Sequence, residues 1–487
     1  MERLDDRPSP EGTTPRPASP PPPSRTILRS SGAIVVAAAA VVAALVASLP
    51  GSASASGLYL PGRGVRPMGR AGAYVAAGEG NLNSIWYNPA NLGGLTETTL
   101  MVDVGVINTF SRFKRANRRL ANGESESFPT VSNDAPPRPD PQILVGGTTG
   151  VDGLTWAGGL FAPYAASLKF PRGGPQRYSL VDNSGSAIAF LGLSVAYEVN
   201  ESLRVGAGVQ NGISRFELVT VTSGYTGLFG RPEDRDLDIQ TQLDFEDLFA
   251  PTGNVGLWYA PTDRFQLALS AQAPVRLFDE TANIRVRWGS NPIFDQAELS
   301  RDTVAGGIRL PFIARAALRY EQNDFDVELT GVFENWSSFD DITVRPTGME
   351  VENVPGIGAI PVTPLTVPQN WENAFSIRIG GSYQLAEPVT LRAGYTYEMG
   401  AVPDEFLTVF NPDGNKHLFG SGVTYDWNQF ELDFSLAFYQ VADRNIANSR
   451  QRQLNPLDAE DELATIVGNG QYRTSHLIVG SGLTYHF

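Results

Sequence analysis

From Thr99 to the last residue, apolar and polar side chains alternate along the chain with a period of two. Val389, Leu391, Ala393, Tyr395 and Tyr397 are interleaved with Thr390, Arg392, Gly394, Thr396 and Glu398, the pattern of a strand with one apolar and one polar face. The same repeat sets Phe375, Ile377 and Ile379 against Ser376 and Arg378, and Leu432, Phe434, Leu436 and Phe438 against Glu431, Asp433 and Ser435. Segments of this kind start near Thr99, Asp140, Gly153, Ala187, Ser202, Thr252, Arg264, Phe312, Asp324, Asn373, Pro388, Lys416, Gln429 and Thr474. They make about fourteen strands of about ten residues, an even number and a length that crosses a bilayer at a tilt. No apolar run after Ala55 is long enough for a spanning helix, so a membrane would have to be crossed by a closed barrel.

The connections alternate. Tight turns at Thr148 to Gly153, Val199 to Ser202, Pro261 to Asp263, Glu321 to Asp324, Ala386 to Pro388 and Asp426 to Asn428 are separated by long polar loops. Short turns mark the periplasmic side of such barrels, which predicts both termini there. The last strand carries Leu477, Val479, Leu483, Tyr485 and Phe487 on one face. The ending Leu483, Tyr485, Phe487 resembles the signal read by the barrel-assembly machinery.

Ahead of the strands the pattern changes twice. Met1 to Ser24 is polar and rich in proline and predicts a disordered extension. Arg25 and Arg29 then precede an apolar run from Ala33 to Leu49, and Ala53-Ser54-Ala55 supplies a small-x-small cleavage pattern. The reading is a signal peptide cleaved after Ala55, with an uncleaved anchor as the alternative. Ser56 to Thr98 is Gly-rich, lacks alternation and is too polar to span, so it is expected to fill the lumen as a plug. The organisation is therefore an extension and signal peptide over 1–55, a hatch over 56–98 and a barrel over 99–487. The fold class is an all-β membrane protein, a 14-stranded antiparallel transmembrane β-barrel with an N-terminal hatch inside.

Composition narrows the function. The absence of Cys removes disulfides and thiolate metal sites. A net charge of −15 argues against nucleic acid, which calls for a basic footprint. The three histidines, His417, His476 and His486, sit in no nucleophile motif, so catalysis is not expected. No cofactor or metal is expected either. The acidic runs Glu233-Asp234 and Glu460-Asp461-Glu462 read as solvated faces.

Several motifs then occur in a recognisable order. Met68-Gly69-Arg70-Ala71-Gly72-Ala73-Tyr74-Val75-Ala76 is followed by Ser84-Ile85-Trp86-Tyr87-Asn88-Pro89-Ala90-Asn91-Leu92, then by Glu334-Asn335-Trp336-Ser337-Ser338-Phe339-Asp340. Leu391-Arg392-Ala393-Gly394-Tyr395 with Val402-Pro403-Asp404, and Tyr472 with Ser475-His476-Leu477 to Phe487, complete the set. Together they resemble the FadL-type outer-membrane transporters of long-chain fatty acids and aromatic hydrocarbons, over nearly all of the chain beyond the signal peptide. The loops depart most, above all Pro346 to Pro368, and with them the choice of ligand.

The resemblance implies capture of a hydrophobic ligand by extracellular loops, gating by the hatch, and sideways exit into outer-membrane lipid at a kinked third strand. A hydrocarbon transporter and a general porin are the alternatives. Asn88, Pro89 and Ala90, with Arg70 and Gly72, are the hatch and gating candidates. Pro restricts its own φ and pushes Asn88 out of the helical region. Pro163 lacks an N–H for the ladder and Gly158-Gly159 weakens packing. Gly159, Ala162 and Pro163 are therefore the exit candidates, unless Pro163 merely ends its strand at the rim. A ligand carboxylate would suit a guanidinium, and the inward positions offer Arg204, Arg315, Arg319, Arg378 and Arg392, with lumen acids such as Glu328 and Glu398 as rival partners. Loop residues Leu228, Phe229 and Ile357 are candidates for first apolar contact.

Overall fold

The structure, a computed structural model, describes residues 63–119, 123–164, 167–227, 230–339, 341–356, 358–458 and 463–487. The expected leader over 1–55, the hatch residues up to 62, the loop apolars Leu228, Phe229 and Ile357, and Glu460-Asp461-Glu462 lie outside the described residues.

Fourteen antiparallel strands close into a barrel. They are β1 Thr99–Arg115, β2 Arg138–Thr148, β3 Leu154–Phe161, β4 Ala187–Asn200, β5 Leu203–Ser223, β6 Asp238–Thr262 and β7 Phe265–Gln272. On the other half lie β8 Ile313–Gln322, β9 Phe325–Glu334, β10 Ala374–Ala386, β11 Val389–Glu398, β12 Lys416–Trp427, β13 Phe430–Val441 and β14 Gly470–His486. Closure comes from β1 on β14, in register from Thr99 opposite His486 to Arg115 opposite Gly470. A closed sheet has no edge, which hydrocarbon demands because no water is there to satisfy one.

The alternation is realised as two surfaces. On β4, Leu191, Leu193, Val195, Tyr197 and Val199 are 45–55% exposed, whereas Phe190, Ser194 and Ala196 between them are buried. An apolar belt this continuous would be an aggregation surface in water and is the natural face for lipid. At the C-terminus Leu483 lies opposite Val102 and Leu432, and Tyr485 opposite Leu100 and Phe430. The Phe487 amide donates to the Thr98 carbonyl at 3.0 Å, leaving its ring 64% exposed. Two of the tight turns place an Asn at positive φ, Asn323 at 51° and Asn428 at 56°, the left-handed geometry that two-residue hairpins use.

The expected strand starts agree with the structure to within a few residues except at β6, which begins at Asp238 rather than near Thr252. β5 and β6 run 21 and 25 residues, against the roughly 9–11 that cross a bilayer. Pairing continues past that length and so does the period of two, with Ile239, Thr241 and Leu243 buried between Gln240 and Gln242, so the expected start fell short of a stretch that alternates. Pairing also continues in Val275–Arg287 and Thr303–Leu310, which prolong β7 and β8 into a crown at the long-loop end of the barrel. A small sheet of Glu298–Leu299, Glu350–Val354 and Gly358–Pro361 caps it.

Candidate functional site

The lumen is filled by the segment before β1. Its first turn is α1 Val65–Gly69, its second α2 Ser84–Tyr87, and a 3₁₀ turn Pro89–Gly94 follows. Between them Ala71 and Gly72 take φ of 51° and 81°. Asn88 is extended, at φ −161° and ψ 101°, as the following proline requires. Its Oδ1 accepts the Ala90 amide at 3.1 Å and caps the 3₁₀ turn, while its Nδ2 donates to the carbonyls of Val75 (3.0 Å) and of Leu257 on β6 (3.1 Å). Asn88, Ala90, Arg70 and Ala71 are almost wholly buried, and Pro89 and Gly72 are buried with them. The Asn-Pro pair thus joins two parts of the hatch to each other and to the wall.

Carboxylates on β9 hold the hatch most firmly. Arg70 makes a two-pronged contact with Asp326, Nη2 to Oδ1 at 2.7 Å and Nη1 to Oδ2 at 3.0 Å, and also donates to the Gly380 and Ala73 carbonyls. Two residues on, Glu328 accepts the amides of Val75 (2.8 Å), Ala76 (3.1 Å) and Ala77 (2.7 Å). Arg66 pairs with Asp433 at 2.8 Å and with Glu431, both on β13. Where hatch backbone meets wall, the wall is glycine. Gly380, Gly394 and Gly420 face one another across β10, β11 and β12. A Cβ at any of them would lie 2.2–2.5 Å from the carbonyl oxygen of Arg70 or Met68.

The five inward arginines have different surroundings. Arg204 pairs with Glu198 (3.0 Å) and Glu79; Arg319 with Asp326 (3.0 Å) and Glu321 (2.9 Å); and Arg392 with Asp433 (3.7 Å) beside Thr424. Arg378 donates to Ser376 (3.2 Å) and to the Gly72 carbonyl (3.4 Å). Arg315 differs. It is 3% exposed and none of its three guanidinium nitrogens has a hydrogen-bond partner among the described residues. Its guanidinium lies 5.3 Å from the centre of the Trp86 ring. Trp86 in turn packs on Phe161, Tyr164 and Phe190 at 5.9–6.1 Å. Of the rival acids, Glu328 binds hatch amides and Glu398 pairs with Lys416 at 3.0 Å.

That aromatic cluster adjoins a break in the wall. β3 pairs with β2 only from Ile143 opposite Leu160 to Thr148 opposite Thr155. The stretch Arg138 to Gln142 of β2 is laddered to β1 alone. Gly159 sits at φ +149°, where a Cβ would lie 2.1 Å from the Ile143 carbonyl oxygen. β3 ends at Phe161, so Pro163 follows the strand rather than interrupting it; Pro163 is buried and Tyr164 turns in against Trp86. Arg63 of the hatch spans the break, donating to the Ala162 carbonyl at 2.9 Å and pairing with Asp140.

At the long-loop mouth Glu233 of the acidic run is not solvated. Glu233 is 8% exposed and accepts Arg115 at 2.7 and 2.8 Å, Arg118 at 2.5 Å and the Thr465 hydroxyl at 2.8 Å. Burial alone would raise its pKa, but these hydrogen bonds and the charges of Arg115 and Arg118 hold it below the ordinary carboxylate range. Sequence reasoning passed over Asp326, Arg63 and the stacking role of Trp86.

Comparison with known proteins agrees with this architecture. The model of the family described as Outer membrane protein transport protein (OMPP1/FadL/TodX) matches residues 45–487. Among solved structures, a FadL homologue of Pseudomonas aeruginosa is similar with a TM-score of 0.71 at 17% identity, over 89% of this chain and 100% of that one. The toluene transporter TbuX of Ralstonia pickettii gives 0.56 at 16%, over 88% and 99%, and the toluene transporter TodX of Pseudomonas putida gives 0.57 at 16%, over 88% and 99%. At these identities the likeness is one of fold. An outer membrane protein of Neisseria meningitidis serogroup B is 38% identical over 61 residues, which span 12% of this chain and 13% of that relative.

Proposed function

The chain belongs to the OMPP1/FadL/TodX family of outer membrane transport proteins, and from that premise we propose that it carries long-chain fatty acids inward. Capture begins among the extracellular loops, above an apolar cavity lined by Phe216, Leu218, Phe245, Leu277, Ile308 and Phe339. An apolar chain gains about 0.8 kcal/mol for each CH₂ taken out of water, so such a lining favours it over polar solutes. The acid head then meets Arg315 above Trp86. The hatch, with Asn88-Pro89-Ala90 and the Arg70–Gly72 turn as its working parts, shifts to clear the way. The ligand leaves sideways where β2 and β3 part, past Gly159, Ala162 and Pro163. The division at 55 and 98, periplasmic termini, and assembly through Leu483, Tyr485 and Phe487 belong to the same proposal, as does a purely transport role without catalysis.

The observation that carries the choice of cargo is the unpartnered, buried Arg315 guanidinium. Burying a charge without a partner is costly, and a ligand carboxylate would offset that cost. An aromatic or alkane hydrocarbon would leave it standing. Arg204, Arg319, Arg378 and Arg392 already have partners and are weaker candidates.

The test is uptake of labelled oleate and labelled toluene by cells lacking their own transporter, complemented with wild type, Pro89→Ala or Arg315→Gln. A charged hydrogen bond is worth about 1.5–3 kcal/mol, so Arg315→Gln should cut oleate uptake at limiting ligand by roughly 10- to 150-fold. Toluene uptake should hardly change. Pro89→Ala should slow both. If the wild type reaches the outer membrane folded and takes up toluene but no oleate, the acid is the wrong cargo.

A further inference from the structure

A second opening in the wall lies higher, in the crown. Thr303–Leu310 pairs with Asp341–Pro346 only at Val304 opposite Pro346 and Ala305 opposite Arg345. The remaining edge, residues 306–310, faces Ser338 and Asp341 to Thr343 without a ladder, across a polar cleft of about 510 Å³. Three arginines line it: Arg276, Arg309 and Arg345. Arg276 and Arg309 stand directly opposite each other in register, an arrangement that costs energy unless an anion relieves it. All three are exposed, and none makes an ion pair or hydrogen bond among the described residues. Arg276 rests on the Phe278 ring at 4.6 Å. Among the described residues one acid lines the cleft, Asp341, which accepts the Thr343 hydroxyl at 2.7 Å. Among the described residues, three cations against that carboxylate leave a surplus of two positive charges on a chain whose net charge is −15.

The surroundings say where the counter-charge comes from. The Phe278 amide donates to Asp247 at 2.9 Å, which brings Leu248 and Phe249, 61% and 76% exposed, beside the Arg276 strand. Phe312, 36% exposed, follows Arg309 by three residues. The cleft thus sits where the apolar belt of the barrel gives way to the polar crown, the level of lipid headgroups. Behind it is the apolar cavity, which shares Leu277, Phe278, Gly307, Ile308 and Phe339 with the cleft. A single carboxylate would leave half the surplus charge uncompensated. A phosphate monoester carries about −1.5 to −2 at neutral pH and matches it, and Arg is the residue suited to phosphate oxygens.

We propose that Arg276, Arg309 and Arg345 form a binding site for the phosphate of an outer-leaflet glycolipid of the lipid A type, whose acyl chains lie along Leu248, Phe249 and Phe312. The site adjoins the apolar cavity and shares part of its lining, but it does not depend on which cargo is carried.

The experiment uses the full chain, purified and reconstituted in zwitterionic lipid nanodiscs, with bound lipid read by native mass spectrometry. The titrants are bis-phosphorylated lipid A, its dephosphorylated form, inorganic phosphate and oleate. Wild type should retain lipid A, bind the dephosphorylated form at least tenfold more weakly, and keep lipid A in equimolar inorganic phosphate or oleate. Combined Arg276→Gln, Arg309→Gln and Arg345→Gln should weaken lipid A binding by at least tenfold with the heat-modifiable migration of a folded barrel intact. Equal binding of phosphorylated and dephosphorylated lipid by wild type overturns the proposal with no mutant needed. So does undiminished binding by the folded triple variant. Displacement by oleate would assign the cleft to cargo, and displacement by inorganic phosphate to a soluble anion; either refutes it.

Discussion

Replacing Glu328 by Gln should loosen the hatch while leaving the barrel closed. The carboxylate is fully buried and accepts three backbone amides at 2.7–3.1 Å together with the Thr330 hydroxyl at 2.5 Å. A hydrogen bond to a charged group contributes about 1.5–3 kcal/mol, and a buried donor left without a partner costs about 1–3 kcal/mol. Glutamine keeps one acceptor oxygen and turns an NH₂ toward amides that are themselves donors. At least one of the three bonds is then lost outright and the others lose their charge assistance, a change of about 3 kcal/mol. That corresponds to a local opening roughly 150-fold more populated. Amide hydrogen exchange reads such openings directly. Exchange at Val75, Ala76 and Ala77 should accelerate by about two orders of magnitude, with the β1–β14 ladder around Gly480 unchanged. An acceleration below threefold would refute the view that Glu328 latches the hatch. Equal acceleration along β14 would mean that the variant has lost its fold rather than its latch.

Arg70→Lys removes the two-pronged grip on Asp326 and should weaken hatch docking by about 2 kcal/mol, seen as faster exchange at Ala73. Gly394→Ala places a Cβ 2.2 Å from the Arg70 carbonyl oxygen and should lower barrel stability by about 1–3 kcal/mol in denaturant titration. Gly331→Ala, where nothing lies within 4 Å, serves as its control. The mouth should respond to acid. Because the folded-state pKa of Glu233 is depressed, its contribution is complete above the ordinary carboxylate value of about 4.3 and is lost as pH falls through the lower folded value. Pepsin should therefore cut the loops around Glu233 and Thr465 at pH 2.5 and spare them at pH 4.5. Cutting at both would contradict the assignment.

The barrel was legible because lipid on one side and a polar hatch on the other impose a period of two on every spanning segment. The outer part of β6, Asp238 to Phe245, carries the alternation too, Ile239, Leu243 and Phe245 against Gln240, Gln242 and Asp244. It runs past the length that crosses a bilayer, and a strand counted at that length leaves it in the loop. The hatch was recognisable by motif, but not what holds it: Asp326 and Glu328 look like any other polar residues at inward positions. The arginines illustrate a limit that can be lifted. Five were indistinguishable as inward cations. Yet the tight turn after Glu321 fixes the register of β8 and β9, which sets Arg319 opposite Glu328 and Arg315 opposite Val332. On the other side Arg315 faces Ser270. Reading the hairpin register would have shown that Arg315 has no acid across either ladder.

The hatch is tied at points spread round the circumference. Val65 donates to Asp103 on β1 at 3.0 Å, Arg66 reaches β13, Arg70 and Val75 to Ala77 reach β9, and Asn88 reaches β6. The Leu92 carbonyl accepts the Thr155 hydroxyl of β3 at 2.9 Å. α1 lies over β14, between the first strand and β13, and so bridges the seam at which the cylinder closes. Such a part behaves like a hub with spokes. Lifting it out in one piece would mean releasing every spoke at once, seam included, whereas slackening one or two opens only the sector they guard. Slackening of that kind would leave the rest of the bore filled. A protein opening so, sector by sector, would sit in the outer wall without giving the cell a hole the width of the barrel.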